Sequence, residues 1–92
     1  MNKDAQLKLI QNAKELYNNP LFKGIEQSLE FSNRFLLFYT IEGYSRKKLI
    51  FTIDFKPNSN CVTILDWYRA IWSKEIRDSL ITYFKLLGFE VR

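Results

Sequence analysis

The chain has 92 residues, a formal net charge of +4 and no histidine. Without histidine it lacks the commonest general base and the usual ligand of zinc and iron sites. Its lone cysteine, Cys61, excludes an internal disulfide and suits a reducing cytoplasm, and no apolar run approaches the roughly 18 residues that span a bilayer. We therefore expect a single cytoplasmic α+β domain over residues 1–92, without a membrane partner.

The N-terminal segment is predicted to be helical over residues 3–18. Its apolar residues recur at spacings of three and four and so share one helix face: Leu9, Ile10, Ala13, Leu16 and Tyr17. From Asn19 the chain favours either a second short helix, with Pro20 as its first residue, or an ordered loop. If this segment is a helix, its apolar residues face inward: Leu21, Phe22, Ile25 and Leu29.

Alternating apolar residues from Arg34 to Phe55 predict a β-hairpin. The odd-numbered side of both strands is apolar and comprises Phe35, Leu37, Tyr39, Ile41, Leu49, Phe51, Ile53 and Phe55. Residues 43–47 supply a glycine and polar side chains for the loop at the tip. Pairing Glu42 with Lys48 then makes every odd-numbered pair apolar, which stabilises the hairpin.

A third strand and a long helix complete the predicted order. After a turn at Pro57, Cys61 to Leu65 returns as an antiparallel strand with Val62 opposite Phe55. Residues 66–87 are predicted to form the principal helix, which either Asp66 or Ser73 caps. Gly88 ends it, and residues 89–91 have the composition of a short C-terminal edge strand.

These elements predict an α+β fold in the order α-β-β-β-α. The sheet has three antiparallel strands, and the long C-terminal helix packs on its odd-numbered face. The even-numbered face carries an apolar patch of Leu36, Phe38, Ile50 and Leu65, ringed by Arg34, Glu42, Lys48 and Asp54. The N-terminal helix either covers this patch or joins the long helix on the other face. We expect the second arrangement, because the charged rim suits solvent.

The even-numbered patch is the first candidate binding surface, since apolar patches with a polar rim are typical of protein interfaces. A neighbouring cluster, Trp67, Tyr68 and Arg69, contains the residue types that dominate binding hot spots. These three side chains cannot all face inward, so at least one aromatic ring should be exposed. We therefore predict a protein partner or a homodimer.

The hairpin tip is the second candidate surface, because Arg46, Lys47 and Lys48 form the only basic run. Their charges suit phosphates, and Tyr44 can stack on a base. The α-β-β-β-α order resembles double-stranded-RNA-binding domains, whose hairpin loop enters a minor groove. The basic cluster that those domains have at the start of their last helix is absent here, where residues 66–70 read DWYRA.

An acidic constellation gives the third hypothesis. Asp54 and Lys56 form a D-x-K triplet near a strand end, which resembles metal-dependent nucleases of the PD…(D/E)xK type. In those enzymes carboxylates hold Mg²⁺ and the lysine lies near the scissile phosphate. In the predicted register, however, Glu42 and Asp54 lie at opposite ends of the hairpin, too far apart to share a metal ion. We therefore expect no catalytic residue, metal site or cofactor.

The sequence favours a small, non-enzymatic interaction protein. Small proteins of this kind often serve phages and mobile elements as inhibitors of host machinery, and such a role is one form that this hypothesis takes. A basic nucleic-acid-binding module is the alternative, and the nuclease is the third hypothesis.

Overall fold

The computed structural model describes residues 2–41, 43 and 45–92. Its elements are α1 (Lys3–Gln11), α2 (Lys14–Tyr17), β1 (Phe22–Gln27), β2 (Arg34–Thr40), β3 (Lys47–Phe55), β4 (Cys61–Asp66), α3 (Ile71–Leu86) and β5 (Glu90–Val91). The strands form one five-stranded sheet in the order β1-β2-β3-β4-β5. Strands β1 to β4 are antiparallel to their neighbours, and β5 is parallel to β4. The α+β class and the C-terminal helix on the sheet are confirmed, but the predicted three-stranded antiparallel sheet is wrong.

Strand β1 occupies the segment predicted as a short helix or loop. Phe22 pairs with Tyr39 and Ile25 pairs with Leu37, so both side chains reach the same sheet face. They do so at a spacing of three because the register shifts between Phe22 and Gly24, which leaves one extra residue in the strand. Gly24 has a φ of 147°, a value that glycine adopts readily. Because of this bulge, apolar residues on one face of the strand recur at a spacing of three, which is typical of a helix.

The predicted N-terminal helix is divided in two. The backbone of Ala13 is extended, with φ −76° and ψ 102°, and separates α1 from α2. The apolar stripe nevertheless continues across the break, because Ile10, Ala13 and Leu16 are all fully buried. Both helices therefore present one continuous surface to the core.

The hairpin of β2 and β3 is present, but its predicted register is wrong by two residues. Phe35 pairs with Ile53 and Leu37 with Phe51, and a second irregularity then places Phe38 opposite Leu49. This bulge turns Ile50 into the core, where it is fully buried. The register predicted for β3 and β4 is confirmed, since Phe55 lies opposite Val62 and Ile53 opposite Ile64.

The core lies on one face of the sheet, beneath all three helices. Its fully or nearly fully buried side chains include Ile10, Leu16, Phe35, Leu37, Tyr39, Phe51, Ile53, Val62, Ile64, Leu80 and Phe84. The hydroxyl of Tyr83 in α3 donates a hydrogen bond of 2.5 Å to the carbonyl of Leu9 in α1. The N-terminal helices therefore share a face with α3, the arrangement that we expected, and no helix among the described residues covers the other face.

Helix α3 begins at Ile71 instead of residue 66. The Asp66 carboxylate instead organises the preceding loop, because its Oδ1 accepts hydrogen bonds from the backbone of Tyr68 and Arg69. The Ser73 hydroxyl donates to the other oxygen of Asp66 over 2.8 Å. Within the described part of the chain, no helix is both long and apolar enough to cross a membrane.

Candidate functional site

The uncovered side of the sheet carries an apolar strip, which we call the open face. Leu36 pairs with Thr52 and Thr52 with Leu65, while Phe38 pairs with Leu49 in the adjoining row. Paired residues of antiparallel strands project to the same side, so these side chains are neighbours. Leu36, Phe38 and Leu49 are half-buried and Leu65 is 38% exposed.

Trp67 lies across this strip just beyond the end of β4. Its backbone N–H donates to the carbonyl of Ile50 over 2.8 Å, which extends the strand pairing by one residue. Its indole Nε1 donates to the hydroxyl of Thr52 over 3.1 Å. The ring is held in one orientation and still has 54% of its surface exposed. It is therefore a preformed aromatic contact, the residue type most enriched in binding hot spots.

The structure divides the predicted binding residues. Leu36, Phe38, Leu65 and Trp67 belong to the open face, but Ile50 does not, because the bulge in β3 buries it. Leu49 takes its place, and no signal in the sequence marked that exchange. Tyr68 packs on the covered side instead, with its ring 5.4 Å from that of Trp72, and Arg69 is exposed in the loop with a φ of 59°.

A bidentate ion pair borders one end of the open face. Arg34 donates from Nε and Nη2 to the two carboxylate oxygens of Asp54, over 2.7 and 2.9 Å. Hydrogen bonding to Asp54 raises the pKa of Arg34 above its ordinary value, against a smaller opposing effect of burial. The guanidinium carbon also lies 4.2 Å from the centre of the Phe31 ring. The charges of Arg34 and Asp54 thus compensate each other, and the two hydrogen bonds fix the geometry of the pair.

A second ion pair borders the other end, where the Lys47 ammonium contacts the Glu26 carboxylate. The same ammonium lies 4.7 Å from the centre of the Phe38 ring, within the range of a cation–π contact. Lys48, which was predicted on this rim, is paired opposite Tyr39 instead, and its ammonium lies 5.5 Å from the Tyr68 ring. The rim charges described here are therefore compensated within the chain.

Two of the three basic residues predicted at the hairpin tip make the contacts just described. Lys47 and Lys48 reach protein side chains, and Arg46 is exposed. Tyr44, which was predicted to stack on a base, lies outside the described residues, as does Glu42. Lys47 and Lys48, which were predicted to contact phosphates, thus have intramolecular partners.

Asp54, the carboxylate of the D-x-K triplet on which the nuclease hypothesis depends, is paired within the chain. Both oxygens of Asp54 accept hydrogen bonds from Arg34, so this carboxylate meets a guanidinium instead of a metal ion. Among the residues that the structure describes, no group of three histidine, cysteine, aspartate or glutamate side chains lies close enough together to hold a metal. Cys61 is buried.

No family model, curated protein or solved structure that was compared with the chain matches it. The functional argument therefore depends on the geometry of the open face itself.

Proposed function

We propose that the chain is a small, non-enzymatic protein-binding module and that a second copy of itself docks on the open face. The observation that carries this proposal is the indole of Trp67, pinned over an apolar strip that no described helix covers. Burying such a strip against a complementary surface releases water from apolar atoms and favours association.

The charges around the strip favour a protein over a nucleic acid. A polyanion is attracted by uncompensated cations, whose contact with phosphates releases counterions. On the open face Arg34 is neutralised by Asp54 and Lys47 by Glu26. Because these four charges form two ion pairs within one copy, a second copy can dock without burying any of the four unpaired.

The dimensions of the face also fit a protein interface. Neighbouring strands lie about 4.8 Å apart and each residue adds about 3.3 Å, so the five strands span about 19 Å and the four longer ones, of 6 to 9 residues, run for about 20 to 30 Å. Interfaces of standard size bury about 800 Å² per partner. Two copies packed face to face would approach that area, since side chains raise the accessible area above the flat projection.

Sedimentation equilibrium over a range of concentrations tests this proposal with a matched pair of variants. Leu65→Asp places a charge on the open face, whereas Leu86→Asp places one on a leucine of α3 that is 83% exposed away from it. We expect Leu65→Asp to weaken self-association at least about tenfold, equivalent to about 1.4 kcal/mol, and Leu86→Asp to leave it unchanged.

Two results would contradict the proposal. One is a wild-type chain that remains monomeric at the highest concentration at which it is soluble. The other is an equal loss of self-association in Leu65→Asp and Leu86→Asp, which would place the interface elsewhere. A link to phages or mobile elements stays a prediction.

Nucleic-acid binding by the tip stays the alternative. If it occurs, replacing Arg46, Lys47 and Lys48 together should abolish retention on DNA or RNA at low salt. The absence of retention by the wild-type chain would remove this alternative.

A further inference from the structure

A groove of about 630 Å³ lies between α2, the turn that follows it and the first half of α3. Its apolar lining residues are Pro20, Leu21, Trp72 and Ile76. Two carboxylates, those of Glu15 and Glu75, also line it. The groove shares no residue with the open face, and its volume falls within the range of ligand sites.

The apolar side of the groove is accessible to solvent and held in shape. Leu21 and Trp72 are half-buried, so each keeps exposed surface. The Trp72 ring packs against the rings of Tyr39 and Tyr68, whose centres lie 5.6 and 5.4 Å from its own. The side-chain oxygen of Asn19 accepts a hydrogen bond from the backbone of Leu21 over 2.9 Å, which fixes the turn. A preformed groove loses less entropy when it binds a ligand.

The charge of the groove is negative on both sides, since Glu15 belongs to α2 and Glu75 to α3. Neither carboxylate forms an ion pair with a residue that the structure describes. No lysine or arginine is among the described lining residues. The chain as a whole carries a net charge of +4, so the groove is a local exception. Charge complementarity therefore favours a cationic occupant with an apolar part.

Glu15 gains more from such an occupant than an ordinary surface carboxylate does. Its Oε2 is buried and has no hydrogen-bond partner among the described residues, so the group has lost part of its hydration. A ligand cannot touch that oxygen, but the two oxygens share one charge, and a cation in the groove stabilises that charge through space. The charge also acts on α3, where burial raises the pKa of Tyr83 most and Glu15 raises it further.

We infer that this groove binds an arginine side chain of a partner peptide. The guanidinium lies between Glu15 and Glu75, and its aliphatic stem and an apolar neighbour in the peptide pack on the side of Trp72. A guanidinium suits the groove better than an ammonium, because it is less strongly hydrated and packs flat against aromatic rings. The groove is open to solvent, so a side chain that is still part of a peptide can enter it. This site is independent of the proposed self-association, because the two surfaces use different residues.

An NMR titration of the whole chain with acetyl-leucyl-arginyl-leucinamide tests this inference. We expect saturable binding that shifts the indole N–H resonance of Trp72 and leaves that of Trp67, on the open face, unchanged. The same peptide with citrulline keeps the shape of arginine without its charge and should bind at least about tenfold more weakly. A lysyl peptide should also bind more weakly than the arginyl one. Added salt should weaken binding of the two charged peptides only.

Charge-removing variants locate the site. Glu15→Gln and Glu75→Gln should each weaken binding of the arginyl peptide at least about threefold. Glu30→Gln, at an exposed glutamate beyond the other end of β1, is the matched control and should leave binding unchanged. If Glu15→Gln does not fold, Glu75→Gln carries the test, since Glu75 is exposed.

Four results would overturn the inference. The first is the absence of a saturable shift at Trp72, and the second is equal binding of the citrulline peptide, which would show an apolar groove only. The third is an equal loss of binding in Glu30→Gln and Glu75→Gln. The fourth is a shift at Trp72 that follows protein concentration without any peptide, because a second copy would then occupy the groove.

Discussion

The two faces of the sheet are formed by alternate residues of the same strands, yet they have different roles. On the covered face Phe35, Leu37 and Ile53 are almost completely inaccessible, because the helices lie over them. On the open face Leu36 and Phe38, from the same strand as Phe35 and Leu37, remain half-exposed. A strand residue is therefore committed to the fold or available to a partner according to what covers it.

The aromatic residues show the same division. On the covered side the rings contact one another edge to face, as in Phe35 with Phe55 and Phe55 with Phe84. On the open face each ring is held by a polar group, as Phe38 is by the Lys47 ammonium and Trp67 by the Thr52 hydroxyl. Changes to the first set should unfold the chain, whereas changes to the second should alter association.

The largest effect is expected on the covered face, at Phe84. It is fully buried in the core, so Phe84→Ala should lower the free energy of unfolding by about 3–5 kcal/mol through lost burial and a residual cavity. Urea denaturation measures this loss. Phe38→Ala is the matched substitution on the open face and should cost less than about 1.5 kcal/mol, because Phe38 is already partly exposed. Equal costs at the two sites would abolish the distinction between the faces.

Alkaline pH should also act through the covered face, because burial raises the pKa of Tyr39 far above its ordinary value and that of Tyr83 to a lesser extent. In the unfolded chain a tyrosine loses its proton near pH 10, while Tyr39 in the folded chain keeps it. The stability is therefore fully present below about pH 10 and falls above it, by about 1.4 kcal/mol per pH unit for Tyr39.

Denaturation as a function of pH measures this slope. Tyr39→Phe should reduce the slope above about pH 10 with little cost at neutral pH, because the buried Tyr39 hydroxyl has no hydrogen-bond partner among the residues that the structure describes. Tyr17→Phe, at an exposed tyrosine, is the control. An unchanged slope in Tyr39→Phe would show that its hydroxyl is accessible in the folded chain.

A charge introduced on the open face should change self-association more than it changes the stability of the monomer. Phe38→Asp should leave the monomer folded, with a loss of about 1–2 kcal/mol, because half-buried apolar area and a cation–π contact are lost. Circular dichroism and sedimentation velocity together measure folding and self-association. If the variant is unfolded while Leu86→Asp is folded, then this face is internal and the proposed interface is wrong.

The smallest effect is expected at the ion pair between Arg34 and Asp54. Both side chains are partly exposed, so a double-mutant cycle with Arg34→Met and Asp54→Asn should give a coupling below about 1 kcal/mol. Because Arg34 occupies both oxygens of Asp54, we expect Mg²⁺ and Mn²⁺ to leave the melting temperature of the wild-type chain unchanged. A metal-induced rise that Asp54→Asn removes would revive the nuclease hypothesis.

Much of the sheet could be predicted from alternation, but its irregularities could not. The register of β3 with β4 was correct because a short turn connects them and leaves little choice of pairing. The register of β2 with β3 was wrong because the connection is longer and a bulge in β3 exchanges the faces of Leu49 and Ile50. A bulge depends on how two strands meet, which a single strand's pattern does not record.

The buried and exposed positions of polar and apolar side chains also differ in how far the sequence predicts them. Two patterns predicted four residues of the open face. Alternation along the strands placed Leu36, Phe38 and Leu65 on the even-numbered side, and the run of residues 67–69 could not be buried entirely, which indicated Trp67. The burial of Gln6 in α1 could not be predicted, because the cavity that it lines is closed by the turn between β3 and β4, about 50 residues further along the chain. On a predicted amphipathic helix, a glutamine gives no sign that a loop will enclose it.

The bulge in β1 also limits how copies of the chain can assemble. Phe22 to Gln27 forms an outer edge of the sheet, and a long, regular edge is a template on which further strands can be added without end. The extra residue at Lys23 and the glycine beside it break that regularity, and a lysine at the break repels a like edge. Growth of fibrils along this edge is thereby discouraged, so the protein can keep an apolar sheet face in solution with a lower risk of aggregation.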